Sequence, residues 1–481
     1  MQQAFLDLRI AARRLRRSPL FLAAVILSTV APVTLNSTIF AVVHAVLLKP
    51  LPFRDPHSLV VVSRSHQYLA GVVSRAEFSD WTERNRVFTS LAAWSTGELD
   101  VLAPAGVRRV AFAAVTRNLP EFLGVTPLLG RFFQPGEADP NVVLLTEWCW
   151  RASFNSDRSA IGRSVRLDDE RGYEGTYVIV GVLPRDFTLY LADDCELLVP
   201  TRGDWTNRAD RSSGSLTVLG RLRNDVSLAQ AKAAMTNLVA ALAREYPKTP
   251  PSKGADVRRY QEVVTASVRP ALVFLMYAAA VVMVLACANI ASLLLARGVT
   301  RSGEMAIRLA LGARRHQLVV QLLMEQVVVA ALAGIVSVAF VALTHDGAMS
   351  VIPATLARRQ EVRVSGAVVA FTVAACVAVS LAASLLPAWF FTRRHGATTG
   401  QLRSRMVHNG LVVAQIAVAL ALLASGALVI TGFQRLARLD LGFSPSGTLV
   451  ADVALPRRVW SDRATYTAFR HRLIAQVRSS P

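Results

Sequence analysis

The sequence predicts an α-helical integral membrane protein with an extracytoplasmic α+β domain hung between its first and second transmembrane helices. Three features carry that prediction: five long apolar runs, one long polar stretch between the first two, and arginine gathered in the short connections. The 481 residues are 53% apolar and only 18% charged, against roughly 25% charged in an average soluble protein. Disorder and an ordinary soluble enzyme both fit that balance poorly. The net charge of +20 rests on arginine, because Lys49, Lys232, Lys248 and Lys253 are the only lysines. Such a surplus suits nucleic acid or anionic lipid.

A bilayer core about 30 Å thick needs roughly 20 consecutive apolar residues in a helix. Runs of that kind lie at Leu20 to Val43, Ala271 to Ala296, Leu318 to Leu343, Ala367 to Phe391 and Leu411 to Phe433. The second and fourth hold no charged residue and exceed ordinary core-helix length. The first follows Arg9, Arg13, Arg14, Arg16 and Arg17, a basic start shared with signal peptides. Its length and the lack of a small-x-small cleavage site read as an anchor, and Pro32 within it is placed to kink the helix.

Cytoplasmic loops retain positive charge during insertion, so the N-terminus is expected inside. That puts those five arginines, then Arg297, Arg301, Arg308, Arg314 and Arg315, then Arg393, Arg394, Arg403 and Arg405 on the cytoplasmic side. Arg358, Arg359 and Arg363 fall in an outside loop and weaken the contrast. The expected organisation is a basic N-terminus at 1–18, a span at 19–43, an external domain at 44–266 and three spans within 267–395. A linker at 396–410 and a span at 411–433 follow, and 434–481 starts a second, incomplete external domain.

Within the external stretch, Ser58 to Val62, Val107 to Val115, Asn141 to Leu145, Tyr177 to Val182 and Leu216 to Leu222 read as short strands. Ser227 to Tyr246 reads as a helix, because Ser227 and Gln230 form an S-x-x-Q capping box. Leu228, Ala231, Met235, Leu238, Val239 and Leu242 then make one apolar stripe, which Pro247, Pro250 and Pro251 end. Cys287 and Cys376 lie in apolar runs as small hydrophobes. Cys149 and Cys195 can pair if their part of the chain is outside the cytoplasm, although unpaired buried cysteine is the commoner case.

Several strings carry a family resemblance. NIASLLLAR (289–297), EMAIRLALGA (304–313) and QLLME (321–325) resemble the region around the second and third spans of MacB/FtsX-like ABC transporter permeases. FLGVTPLLGRFF (122–133), IGRSVRL (161–167), VIVGVLPRDF (178–187) and LGRLRNDVSLAQ (219–230) resemble the MacB-like periplasmic core domain. The stretch TIFAVVHAVLLKPLPFRDPHSLV (38–60) is most similar to acidobacterial duplicated orphan permeases, which repeat the span-domain-span unit. That resemblance implies that Leu411 to Pro456 begins a second unit, of which most is lacking. VAPVTL (30–35) departs from the family, where a glycine-containing stretch is usual.

An ABC transporter needs a P-loop with Gly-Lys. The four lysines follow Leu48, Ala231, Pro247 and Ser252, so the chain holds no Gly-Lys and no cofactor of its own is expected. ATP would sit on a separate cytoplasmic P-loop ATPase subunit. The connection after the second span is amphipathic and suits either a protein partner or anionic headgroups. In the resembling family this position holds the coupling helix, which assigns ATPase contact to Glu304, Met305, Ala306, Ile307, Arg308, Leu309, Ala310, Leu311, Gly312 and Ala313. Glu304 and Arg308 also suit an i, i+4 pair, and Gly312 is placed to end the helix.

Proton coupling would leave titratable groups deep in the spans. Glu325 is the exception, and pairing with Arg314 or Arg315 is its expected role. Asn36 and Gln415 are expected to hydrogen-bond between helices. Ala370, Ala374, Ala378 and Ala382 form a small-xxx-small ladder for helix packing, within the subunit or against a second copy. No G-x-S-x-G or H-E-x-x-H occurs, and His57 with His66 make no metal pattern. Arg108-Arg109 and Arg258-Arg259 read as solvated pairs, not nucleic-acid contacts. Trp148, Cys149 and Trp150 read as core beside a strand or as the edge of a ligand cleft.

The expected function is therefore a non-enzymatic permease subunit of the bacterial inner membrane, transmitting ATP-driven motion to a periplasmic domain for export or signalling. Its expected partners are the ATPase, membrane lipids, and a second permease copy or a periplasmic protein, without nucleic acid. The alternative is a membrane-anchored scaffold or sensor without ATP coupling.

Overall fold

The computed structural model describes residues 19–65, 70–71, 73–103, 106–134, 141–168, 173–192, 195–202, 211, 215–247, 254–300, 315–351, 358, 361–392, 397–437 and 463–479. It forms two compact units, 1–49 with 267–448 and 50–266 with 449–481. Helix α1 spans Pro19–Val43, runs through Pro32 and continues as one π-helical turn, His44–Leu48.

The second unit is α+β. Its elements are β1 Leu59–Ser65, β2 Ala70–Gly71, α2 Arg75–Arg84, β3 Phe88–Ala103, β4 Gly106–Val115, α3 Leu119–Leu123, β5 Leu129–Gly130, β6 Val142–Leu145 and α4 Glu147–Phe154. There follow β7 Ser164–Asp168, β8 Gly175–Val182, β9 Leu197–Pro200, β10 Thr217–Leu222, α5 Leu228–Glu245, β11 Ala255–Arg259 and α6 Tyr260–Thr265. One mixed sheet runs β11-β1-β10-β3-β4-β9-β6-β8-β5, with β2 on β1 and β7 against β3 and β8. The pairs β4/β9 and β6/β8 are parallel.

All five expected strands form, but the longest, β3, was not among them. It pairs with β4 from Trp94↔Val115 to Ala103↔Gly106. Its first half gives Leu91 and Ala93 to a core beneath α2 and α5, where Trp81, Met235 and Val257 are buried. Its second half gives Leu99 and Val101 to another core with Phe112, Leu145, Trp150 and Tyr177. A single strand thus ties two hydrophobic clusters together. Helix α5 matches its sequence signature: Ser227 and Gln230 form the reciprocal cap, and Ala231, Met235, Val239 and Leu242 are the buried stripe. A second capping box, Ser74 with Glu77, starts α2.

Two backbone positions need glycine. Gly130 has φ +72°, and a Cβ there would lie 2.2 Å from the Val180 carbonyl oxygen across the β5/β8 pair. Gly124 ends α3 at φ +71°, where a Cβ would lie 2.4 Å from Arg54 Cβ. Both belong to the string 122–133, so part of that motif answers to backbone geometry.

The first unit continues with α7 Arg269–Thr300, α8 Arg315–Val351, α9 Gly366–Thr392 and α10 Ala397–Ala437; α11, Arg463–Ser479, lies in the second unit's part of the chain. Among the described residues, five helical stretches are long and apolar enough to cross a membrane: Pro19–Leu48, Arg269–Leu294, Leu323–Gly347, Gly366–Ser384 and Val412–Gly432. Val30 and Val33 of α1 pack with Ile290 of α7, Val329 of α8 and Val379 of α9. A second cluster nearer the other end joins Ile39, Val42, Leu272, Val341 and Val368. Outward-facing Leu27, Phe274, Ile335, Leu343 and Leu423 are all exposed. Exposed apolar side chains on helices of this length suit contact with lipid.

Candidate functional site

The ten residues expected to form the coupling helix, Glu304 to Ala313, lie outside the described residues. The described part of the membrane unit includes uncharged contacts between spans and a charged clamp at the end of α1. Asn36 Nδ2 donates to Pro32 O at 2.9 Å within α1 and to Ala279 O at 3.0 Å on α7. One residue on, Ser37 Oγ accepts from Thr372 Oγ1 of α9 at 2.9 Å. Asn36 therefore makes the interhelical bond expected of it. For Gln415 no such bond is seen among the described residues, where its Nε2 on α10 is buried without a hydrogen-bond partner.

These contacts carry no formal charge. In an apolar medium they supply orientation and modest stability, since helix association there cannot draw on the hydrophobic effect. They bind α1 to two other spans at one depth. Glu325 is buried on α8, about two turns into the apolar run that begins at Leu318; of its two expected partners, Arg314 lies outside the described residues.

The alanine ladder is placed differently from its packing role inside the chain. Ala370, Ala374, Ala378 and Ala382 are all exposed. The face of α9 that packs inward is Val368, Thr372, Cys376, Val379 and Ala383. Spacing shows that a stripe exists but not which way it faces.

At the end of α1, Arg358 is wholly buried and has φ +65°. Its Nε and Nη2 donate to the two Glu361 carboxylate oxygens, each at 2.9 Å. Its Nη1 donates to Lys49 O at 2.6 Å and Val46 O at 3.3 Å. Lys49 Nζ adds a 2.9 Å ion pair to Glu361. The carbonyls freed where the α1 helix stops thus meet a guanidinium held in place by a carboxylate. Sequence reading counted Arg358 only as a loop charge; its partner three residues on was the available signal.

The second unit has its own polar fastenings. Arg221 of β10 donates to Ser58 Oγ at 2.8 Å, Arg54 O at 2.8 Å and Phe122 O at 2.6 Å. Partial burial pulls its pKa below the usual arginine value. It ties the string 219–230 to the start of the string 122–133. Asp80, fully buried, accepts from Arg211 at 2.5 Å, and that guanidinium lies 3.5 Å over the Tyr246 ring.

The basic pairs read as solvated stay largely at the surface and are also paired there. Arg108 pairs with Glu196, Arg109 with Glu98, and Arg258 with Asp256, while Arg259 Nη1 donates to His57 O at 2.6 Å. For Arg108 the acid partner is distant in sequence and brought close by the sheet; for Arg258 it lies two residues away on the same strand. Trp148, Cys149 and Trp150 sit on α4: Trp150 and Cys149 face the core, and exposed Trp148 stacks under the Arg108 guanidinium at 4.6 Å. Cys149 and Cys195 are free thiols, with burial pushing them up to about 11 and about 12 respectively. No group of three potential metal ligands occurs among the described residues. These contacts hold the two units' elements in place, each within its own unit.

Residues 22–238 match the MacB-like periplasmic core domain, and residues 276–395 match the FtsX-like permease C-terminal domain. No curated protein matches the chain. Among solved structures, the periplasmic region of MacB from Actinobacillus actinomycetemcomitans aligns at 12% identity and TM-score 0.33, over 44% of this chain and 92% of that one. A domain of a putative permease protein from Porphyromonas gingivalis aligns at 13% identity and TM-score 0.36, over 43% and 93%. The extracellular domain of the noncanonic ABC-type transporter YknZ from Gram-positive bacteria aligns at 11% identity and TM-score 0.31, over 42% and 99%. At such scores the two domain matches alone bear on what the chain is.

Proposed function

We propose that this chain, which matches a MacB-like periplasmic core domain and an FtsX-like permease domain, is the membrane subunit of an ABC transporter whose ATPase is a separate polypeptide. The observation that carries this reading is the order of the two domain matches, a periplasmic core at 22–238 followed by an FtsX-like permease at 276–395. The absence of any Gly-Lys leaves ATP hydrolysis to a partner. The N-terminus lies in the cytoplasm, and Glu304 to Ala313 take up the motion of the ATPase. The uncharged contacts of Asn36, Ser37 and Thr372 suit mechanical transmission better than a path for ions. That transmission opens and closes the periplasmic domain for export or for signalling to a partner outside.

The test is photocrosslinking in native membranes with a photoreactive residue at Met305 or Ile307, followed by mass spectrometry. A P-loop ATPase is recovered, and recovery is lost when 304–313 is scrambled while insertion is kept. Capture of lipid alone, with candidate ATPases expressed, would replace this reading by an uncoupled scaffold or sensor.

A further inference from the structure

We propose that the last turn of α1 has two registers, π and α, and that the Arg358–Glu361 clamp selects the π register, so that loss of the clamp turns the chain leaving α1 by about 100°. The helix is regular through Val43 and then takes in one extra residue: His44–Leu48 form a π turn, closed by Lys49 N donating to His44 O at 2.7 Å. Such i to i−5 bonding is rare and occurs mostly as single turns within α-helices. The turn's own residues do not demand it, because Ala45, Leu47 and Leu48 are strong α-helix formers.

What holds the turn lies elsewhere in the chain. Arg358 Nη1 reaches Val46 O at 3.3 Å, inside the turn, and Lys49 O at 2.6 Å, just past it, while Glu361 takes Lys49 Nζ at 2.9 Å. Val46 O needs that donor, since its partner in an α register would be the amide of residue 50, which is Pro50 and has no N–H. Upstream, α1 is fixed to α9 by Phe40 stacked on Phe371, with ring centroids 4.1 Å apart, and by Thr372 Oγ1 donating to Ser37 Oγ. The π turn is the stretch between these two fastenings, and it holds one residue more than an α turn over the same arc.

Rewinding to α would carry Lys49 about 100° further round and about 1.5 Å along the axis, away from Arg358 and Glu361. The bonds to Lys49 therefore exist in one register only, which is the differential interaction that a two-state element requires. Arg358 is itself held at φ +65°. A π turn and a left-handed arginine are each disfavoured alone, and here each is kept by the other. Release of Arg358 lets both relax. This inference concerns the membrane unit alone and is independent of ATPase coupling.

The test uses the full chain in nanodiscs, with cysteine placed at Leu47 or at Leu48 and labelling by a water-soluble maleimide read residue by residue through mass spectrometry, so that the native thiols stay. Leu48 is 59% exposed and Leu47 is half-buried, and Leu48→Cys is expected to react several-fold faster than Leu47→Cys. In an α turn residue 47 takes the angular place that residue 48 has in the π turn, so adding Arg358→Met inverts that order. An unchanged order overturns the proposal. Equal, fast labelling at both positions overturns it too, because it marks a frayed end and not a second register. Removing Ala45 from the chain, with Arg358 kept, takes away the extra residue and leaves Leu48→Cys labelling as in the parent. Loss of membrane insertion on that deletion would make the π turn a fixed part of the fold and overturn the proposal even if Arg358→Met does not fold.

Discussion

Arg358 and Glu361 form a two-pronged pair, 2.9 Å on each side, and the remaining guanidinium nitrogen closes on the Lys49 and Val46 carbonyls at the end of α1. A residue in the connection between the third and fourth spans therefore caps the first span. Arg358 pays for this with a left-handed backbone, φ +65°, which a non-glycine residue holds only when its surroundings fix it.

Removing one partner of a buried pair strands the other's charge and costs about 3–5 kcal/mol. Arg358→Met should approach the lower end of that range, because Lys49 also serves Glu361. Arg358→Lys should fall between it and the unaltered protein, since an ammonium cannot reproduce the fork. Unfolding in detergent micelles measures both, and a Lys variant as stable as the parent would refute the geometric account.

Asn36→Leu should destabilise the membrane unit only slightly, by roughly 0.6 and at most about 1.7 kcal/mol, the range for hydrogen bonds between membrane helices. A larger loss would mean that the bond to Ala279 O holds more than one helix pair in register.

At Gly130 the expected effect is larger than the size of the change suggests. Gly130→Ala adds a Cβ against Val180 O in a left-handed backbone, so destabilisation should exceed about 1 kcal/mol. Protease resistance of the second unit within the intact chain reads this out. A neutral result would show that β5 can leave β8 freely.

Burial raises the pKa of Cys149 to about 11 and of Cys195 to about 12, from 9.0. A folded pKa above the unfolded one favours the folded state below pH 9, and that contribution is lost as pH rises through 11 to 12. Stability of the second unit should therefore fall over that window. At pH 8 the buried Cys149 thiol should resist a water-soluble maleimide until the chain unfolds, and fast labelling of it would contradict its burial.

Much of the fold could be read from local pattern. Helix α5 declares its start through Ser227 and Gln230 and its buried side through Ala231, Met235, Val239 and Leu242. The spans declare themselves by apolar length. Strand β3 could not be read in this way, because Gly97, Glu98 and Asp100 interrupt apolar alternation midway along it. Its pairing partners and the two cores that it crosses sustain it instead.

The site was legible as chemistry absent more than as contacts present. Sequence spacing found Asn36 but could not tell it from Gln415, because whether an amide meets an acceptor depends on the neighbouring helix. Ala370, Ala374, Ala378 and Ala382 likewise formed a stripe whose direction only packing decides.

By itself the sequence located the long apolar helices and the polar α+β stretch between the first two, since each depends on composition or on adjacent residues. The tertiary structure alone decided that Arg358 caps α1 and that Arg108 answers Glu196. Those outcomes join residues far apart in the chain, and only the packing of spans and the strand order of the sheet bring them within reach of one another.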